Sequence, residues 1–148
     1  MSNILIKNST IYDGTGIPPF KADILINNDK IVQIGNLENI SDAYTIDGTA
    51  LASCPGFIDT HSHSDAALLN NPFHEHSLKQ GITTEILGQD GLSYAPLSKS
   101  NYLLNYDYLS GLLGIPPDNL DMSSVSNFKS HYHNKVSINT AYCIPHGA

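Results

Sequence analysis

The feature that most constrains this chain is a change of rhythm at Pro55. Before it, short β-branched runs alternate with turn residues. ILIKNSTI (4–11) is followed by the breaker-rich YDGTGIPPF (12–20), and ADILINNDKIVQIG (22–35) holds two apolar runs joined around Asn27, Asn28 and Asp29, a hairpin signal. YTIDGTALA (44–52) adds one more strand and turn. This part is expected to be antiparallel sheet. After Pro55 the strand candidates GFIDTH (56–61), ITTEILG (82–88) and VSINTAYCIP (136–145) alternate with helix-like stretches. Those are AALLNNPFHEHSLKQG (66–81), broken at Pro72, then NYLLNYDYLSGLLG (101–114) and SVSNFKSHYHNK (124–135). Strand and helix in alternation predict parallel β/α units, hence an α/β fold. A full (β/α)8 barrel needs roughly 250 residues, and about three strands' worth follows Pro55. The expected division is therefore 1–54 and 55–148, the second part being the front of a larger barrel.

Charge narrows the partners. The formal charge is -7, the basic residues are all lysine, and no basic run occurs. Nucleic acid and anionic membrane surfaces, which need clustered cations, are therefore not expected as partners. No stretch is apolar enough for a signal peptide or a membrane span, so a reduced, cytoplasmic location is expected. Cys54 and Cys143 form no Cys-x-x-Cys unit and are expected as small packing residues in strands, not as ligands or a disulfide.

Three His-x-His pairs occur: His61/His63, His74/His76 and His131/His133. On a strand, residues i and i+2 face the same way, whereas on a helix they diverge by about 200°. His61/His63 follow a strand candidate and are expected to grip a metal ion. The other two pairs fall in helix-like segments and are expected on solvated faces. In β/α barrels the active site lies at the C-terminal strand ends. That puts Asp90, in the loop after the second strand, where it could reach His61 and His63 as a third metal ligand, the alternative being a turn-forming Asp before Gly91. Asp65, Ser93 and His146 are expected to contact substrate or support the site, although Asp65 could simply be a helix N-cap and His146 structural. Asp59 is expected to be buried by strand parity, behind the pair.

These segments resemble a known family. CPGFIDTHSHSD (54–65) resembles the P-G-F-I-D-x-H-x-H signature of the amidohydrolase superfamily. QGITTEILGQDGLSYAPL (80–97) is similar to the G-V-T-T-x-x-x-G-N-C-G-x-S-x-A-P segment of its N-acyl-D-amino-acid deacylase (D-aminoacylase) branch, and NTAYCIPHGA (139–148) to that branch's N-x-A-x-x-x-x-H-G-x. The N-terminal part resembles the small β-sandwich that leads into such barrels. The resemblance implies a metal-dependent hydrolase, most often of zinc, that cleaves a small-molecule N-acyl-D-amino acid into a carboxylate and a D-amino acid. It implies His61 and His63 as ligands, and it places the branch's ligand cysteine on Asp90. A carboxylate also suits manganese or iron. The implied general acid/base is an aspartate beyond Ala148, and a homo-oligomer is a further expectation. Two other readings stay open. One is an amidohydrolase acting on a cyclic amide of the hydantoin or dihydropyrimidine type, against which the 88–96 loop argues. The other is a truncated, non-catalytic remnant.

Overall fold

The computed structural model of the chain describes residues 3–147. It divides into two compact units, Met1–Pro55 and Gly56–Ala148.

The first unit is a five-stranded sheet. Strand β1 (Asn3–Ile11) pairs antiparallel with β2 (Phe20–Asn27), which pairs antiparallel with β3 (Lys30–Gly35). The β2–β3 hairpin turns at Asn28, whose φ of 55° is a left-handed value that Asn tolerates well. The expectation of an all-antiparallel sheet does not hold for the rest. Strands β4 (Ala43–Asp47) and β5 (Ala52–Ser53) run parallel to β1, on the edge that β2 leaves open. Both can use that edge because β4 pairs with Asn3–Lys7 and β5 with Thr10–Ile11.

Between those two contacts β1 bulges. Its register with β2 shifts between Ile6 and Ser9, and Asn8 takes a φ of 59°. The bulge removes the Asn8 amide from the ladder, and the buried carboxylate of Asp23 accepts it at 2.8 Å. The other Asp23 oxygen accepts from the Leu37 amide at 3.0 Å. Gly48 closes against the far side of the bulge, where a Cβ would lie 2.7 Å from the Lys7 carbonyl oxygen.

In the second unit the order is β6 (Phe57–Asp59), α1 (Asp65–Asn70), α2 (Glu75–Lys79), β7 (Ile82–Leu87), α3 (Tyr102–Leu113), α4 (Val125–Ser130) and β8 (Asn139–Tyr142). The sheet order is β6-β7-β8, parallel throughout, so each connection crosses over through helices. This α/β arrangement agrees with the predicted rhythm. Its core joins Leu68 of α1, Leu87 of β7, Leu109 and Leu113 of α3, and Phe128 and Tyr132, all buried. Phe57 and Ile58 of β6 remain exposed. Cys54 and Cys143 are exposed thiols, not packing residues. Among the described residues, no helix is long and apolar enough to cross a membrane.

Removing the Asp23 carboxylate leaves two amides without acceptors. Asp23→Ala is expected to destabilise the first unit by about 3 kcal/mol in urea unfolding. The Asn8 amide holds the Asp23 carboxyl below its ordinary value; burial opposes this, and the Leu37 amide and Lys7 reinforce it. A value lower in the folded than in the unfolded state means the stabilisation is complete above about pH 4. It fades as pH falls through the folded value, so the wild-type advantage over Asp23→Ala shrinks in acid.

Candidate metal centre

Strand β6 ends at Asp59, two residues before the first histidine of the site. His61 and His63 therefore project from the loop beyond the strand, and strand parity is not what aligns them. The loop and its neighbour after β7 are held by four hydrogen bonds. Asp59 Oδ1 accepts the His61 amide at 3.0 Å, which makes Asp59 a half-buried turn former rather than a partner of the rings. The Ser62 amide donates to the Ile86 carbonyl of β7 at 3.3 Å. Gln89 Nε2 donates to the Thr60 carbonyl at 2.8 Å and to that of Ile86 at 2.9 Å.

The loop after β7 brings the third residue. Asp90 sits in a tight 3-10 turn, Gln89–Gly91, with φ 57° and ψ 18°. Gly88 and Gly91 flank it with φ values of 70° and 73°. Because β6 and β7 are parallel neighbours, their C-terminal loops emerge side by side. Asp90 Oδ2 lies 3.3 Å from a ring nitrogen of each histidine, Nε2 in both cases. The rings meet edge to face with centroids 5.2 Å apart. One donor atom from each of the three residues falls within 4.8 Å of the others.

Two imidazole nitrogens and a carboxylate suit a divalent ion of borderline or hard character. Bonds of about 2.0–2.2 Å in tetrahedral geometry put neighbouring donor atoms roughly 3.3–3.6 Å apart, close to the spacing seen here. Nδ1 of His63 is buried without a hydrogen-bond partner among the described residues, so its Nε2 is the nitrogen turned to the centre.

The other residues singled out from the sequence lie elsewhere. Asp65 begins α1, with Ser64 as its N-cap, and is fully buried. Ser93, also fully buried, donates to Asp65 Oδ1 at 2.6 Å and touches the Tyr142 hydroxyl. Burial pushes the Asp65 carboxyl up, with the bond from Ser93 opposing. Neither side chain has surface to offer a small molecule, so support from within is the role open to them. His146 is exposed and lies over Gly91, where a Cβ would come 3.1 Å from its Cε1. It neighbours Asp90 in the fold but stands outside the three-residue cluster.

His74 overturns the expectation of a solvated helix face. It is buried, takes a φ of 42° as the residue before α2, and places Nε2 2.8 Å from Glu85 Oε1. His76 is exposed on α2 as expected. His131 and His133 lie in turns beyond α4, and His131 Nε2 accepts the Asp121 amide at 3.1 Å. Glu85 was not singled out in the sequence. It is buried in β7 and also accepts from Ser77 Oγ at 2.7 Å and Ser62 Oγ at 2.8 Å. Burial raises its carboxyl, but the bonds from Ser77, Ser62, His74 and Ser64 outweigh that and hold it below its ordinary value. The available signal was an acidic residue inside an apolar strand run.

No family model matches the chain. The N-acyl-D-aspartate deacylase of Alcaligenes xylosoxydans xylosoxydans is 38% identical over 98 residues, which are 66% of this chain and 20% of that protein. A crystal structure of N-acyl-D-glutamate deacylase from Bordetella bronchiseptica, complexed with zinc and a phosphonate inhibitor, superposes with a TM-score of 0.75 at 27% identity. It covers 97% of this chain and 29% of that one. This chain is a relative of the N-acyl-D-amino-acid deacylases. It spans about a fifth of the length of the curated deacylases it matches. A D-hydantoinase structure superposes with a TM-score of 0.51 at 21% identity, covering 95% of this chain and 26% of that one, and so shares the fold alone.

The turn that carries Asp90 admits no side chain at Gly88. A Cβ there would lie 2.3 Å from the Cys143 carbonyl oxygen, at a left-handed φ. Gly88→Ala is expected to cost about 2–4 kcal/mol in thermal unfolding. It should also shift the NMR resonances of the His61 and His63 rings, since Asp90 must move.

Proposed function

We propose that this chain forms part of a metal-dependent amide hydrolase, an N-acyl-D-amino-acid deacylase that releases a carboxylate and a D-amino acid. The observation that carries the reading is the convergence of His61, His63 and Asp90 from two adjacent loops at one end of a parallel sheet. Its relatives among the deacylases support the substrate class, and the zinc in the N-acyl-D-glutamate deacylase complex supports a divalent ion. The three parallel strands and their helical crossovers are then the first units of a (β/α)8 barrel, with residues 1–54 belonging to a small β-sandwich. The exposed Phe57 and Ile58 are consistent with a strand that packs against further barrel elements.

In this reading His61 and His63 would hold a divalent ion through Nε2, and Asp90 through its carboxylate. A divalent ion there would supply Lewis acidity for the amide carbonyl and would bring the pKa of water to about 7. Gln89 keeps the two loops in register by bonding to Thr60 and Ile86 on either side of the centre. Proton transfer to the leaving amine falls to a general acid beyond Ala148. An oxygen donor in place of the branch's thiolate suits zinc less exclusively, so manganese or iron can compete for the site.

Calorimetric titration of the full-length protein with Zn2+ and Mn2+ tests the assignment. His63→Ala and Asp90→Ala are each expected to weaken binding by at least about 100-fold, at or above the upper end of the 10- to 100-fold typical of losing a supporting bond. Asp90→Cys should shift preference toward zinc over manganese. Unchanged affinity in His63→Ala would remove the basis for the reading. Chelation should abolish hydrolysis of N-acyl-D-amino acids, with recovery on adding metal. The 148-residue chain alone is expected to show no turnover.

A further inference from the structure

Glu85 spends a buried charge where an apolar residue would pack. On the same face of β7, two residues on, Leu87 fills the core directly. A buried carboxylate costs several kcal/mol in lost hydration unless its oxygens are well bonded. Here the donors come from two separate segments. His74 and Ser77 reach Oε1 from the start of α2 and from within it, and Ser62 reaches Oε2 from the loop after β6.

Ser62 is the residue between the two histidines, and it is itself buried. Its hydroxyl also accepts the Ser64 amide at 3.3 Å and lies 2.8 Å from Ser64 Oγ. Its amide is bonded to Ile86, the residue after Glu85. Side chain and main chain of Ser62 are thus both tied to β7, and the flanking residues His61 and His63 must project from a fixed peptide.

We infer that Glu85 is a positioning residue for the metal centre, setting the orientation of His61 and His63 by holding Ser62 between them while bonding to neither ring. This rests on the reading of His61, His63 and Asp90 as ligands. His74 and Ser77 hold the other carboxylate oxygen, so the docking of α2 and the shape of the histidine loop are set by one group.

The test is Co2+ binding to the full-length protein, followed by calorimetry and by the visible d–d absorption, which reports the geometry around the ion. Ser62→Ala is the informative variant, because it releases the histidine loop from Glu85, together with the Ser62–Ser64 contacts, while the His74 and Ser77 bonds to Glu85 remain. Its Kd for Co2+ is expected to rise tenfold or more, with a changed d–d band. Glu85→Gln should move both readouts the same way. Tyr94→Phe is the control, since it removes a buried bond to the Gly114 carbonyl, 2.6 Å long, away from the histidine loop. It should lower the melting temperature while leaving Kd within twofold and the band unchanged.

If Ser62→Ala matches Tyr94→Phe in both readouts, Glu85 merely ties elements together and the inference fails. If Glu85→Gln does not fold, Ser62→Ala alone decides the matter. If the wild-type protein binds no Co2+, the metal-centre reading falls and this inference with it. Binding by wild type but equal binding by Ser62→Ala overturns the inference alone.

Discussion

One buried ionic group organises the second unit. The Glu85 carboxylate sits under the helices in the middle of β7, and the hydroxyls and imidazole around it replace the water it has lost. Such a group tolerates little displacement of its donors, because each lost bond exposes charge to an apolar surround. That demand links the loop after β6, the turn into α2 and the strand between them more tightly than apolar packing alone would. His74 takes a left-handed backbone to reach it, an uncommon conformation for a residue with a side chain.

The geometry of the centre follows from parallel pairing. Adjacent parallel strands deliver their following loops to the same end, so residues far apart in sequence meet without any long excursion of the chain. The two loops are then laced by Gln89 and by the Ser62 amide, which prolongs the β6–β7 pairing past the formal end of β6. The three-residue cluster is open to solvent: His61 and Asp90 are each 57% exposed at the side chain, and His63 only 21%. His63 is therefore the anchored member of the pair, and His61 the one freer to adjust.

Much of this was legible in the residues themselves. The alternation after Pro55 gave the crossover units because helix and strand periodicities are local. Strand-end logic brought Asp90 to His61 and His63, although the strand stops at Asp59 and the loop does the aligning. What escaped was non-local. Nothing within YTIDGTALA says that its strands pair with β1 rather than extend a meander, since that choice depends on which edge is free. The spacing of His74 and His76 pointed to a helix surface, but His74 lies before α2 and turns inward to a carboxylate eleven positions ahead. Cys54 and Cys143 were read by residue type, and their exposure depends on packing that no local pattern encodes.

The left-handed backbone of Asp90 bears on one place where this chain departs from the deacylase pattern, the aspartate that stands at the position of the pattern's cysteine. Asp and Asn enter that region of conformational space several times more readily than most side chains. The turn that presents Asp90 to His61 and His63 is therefore better served by aspartate than by cysteine. Exchange between sulfur and oxygen at this position is a choice about the shape of a turn as well as about affinity for metal. A lineage could drift from one to the other under selection on the loop alone, with its metal preference changing as a by-product.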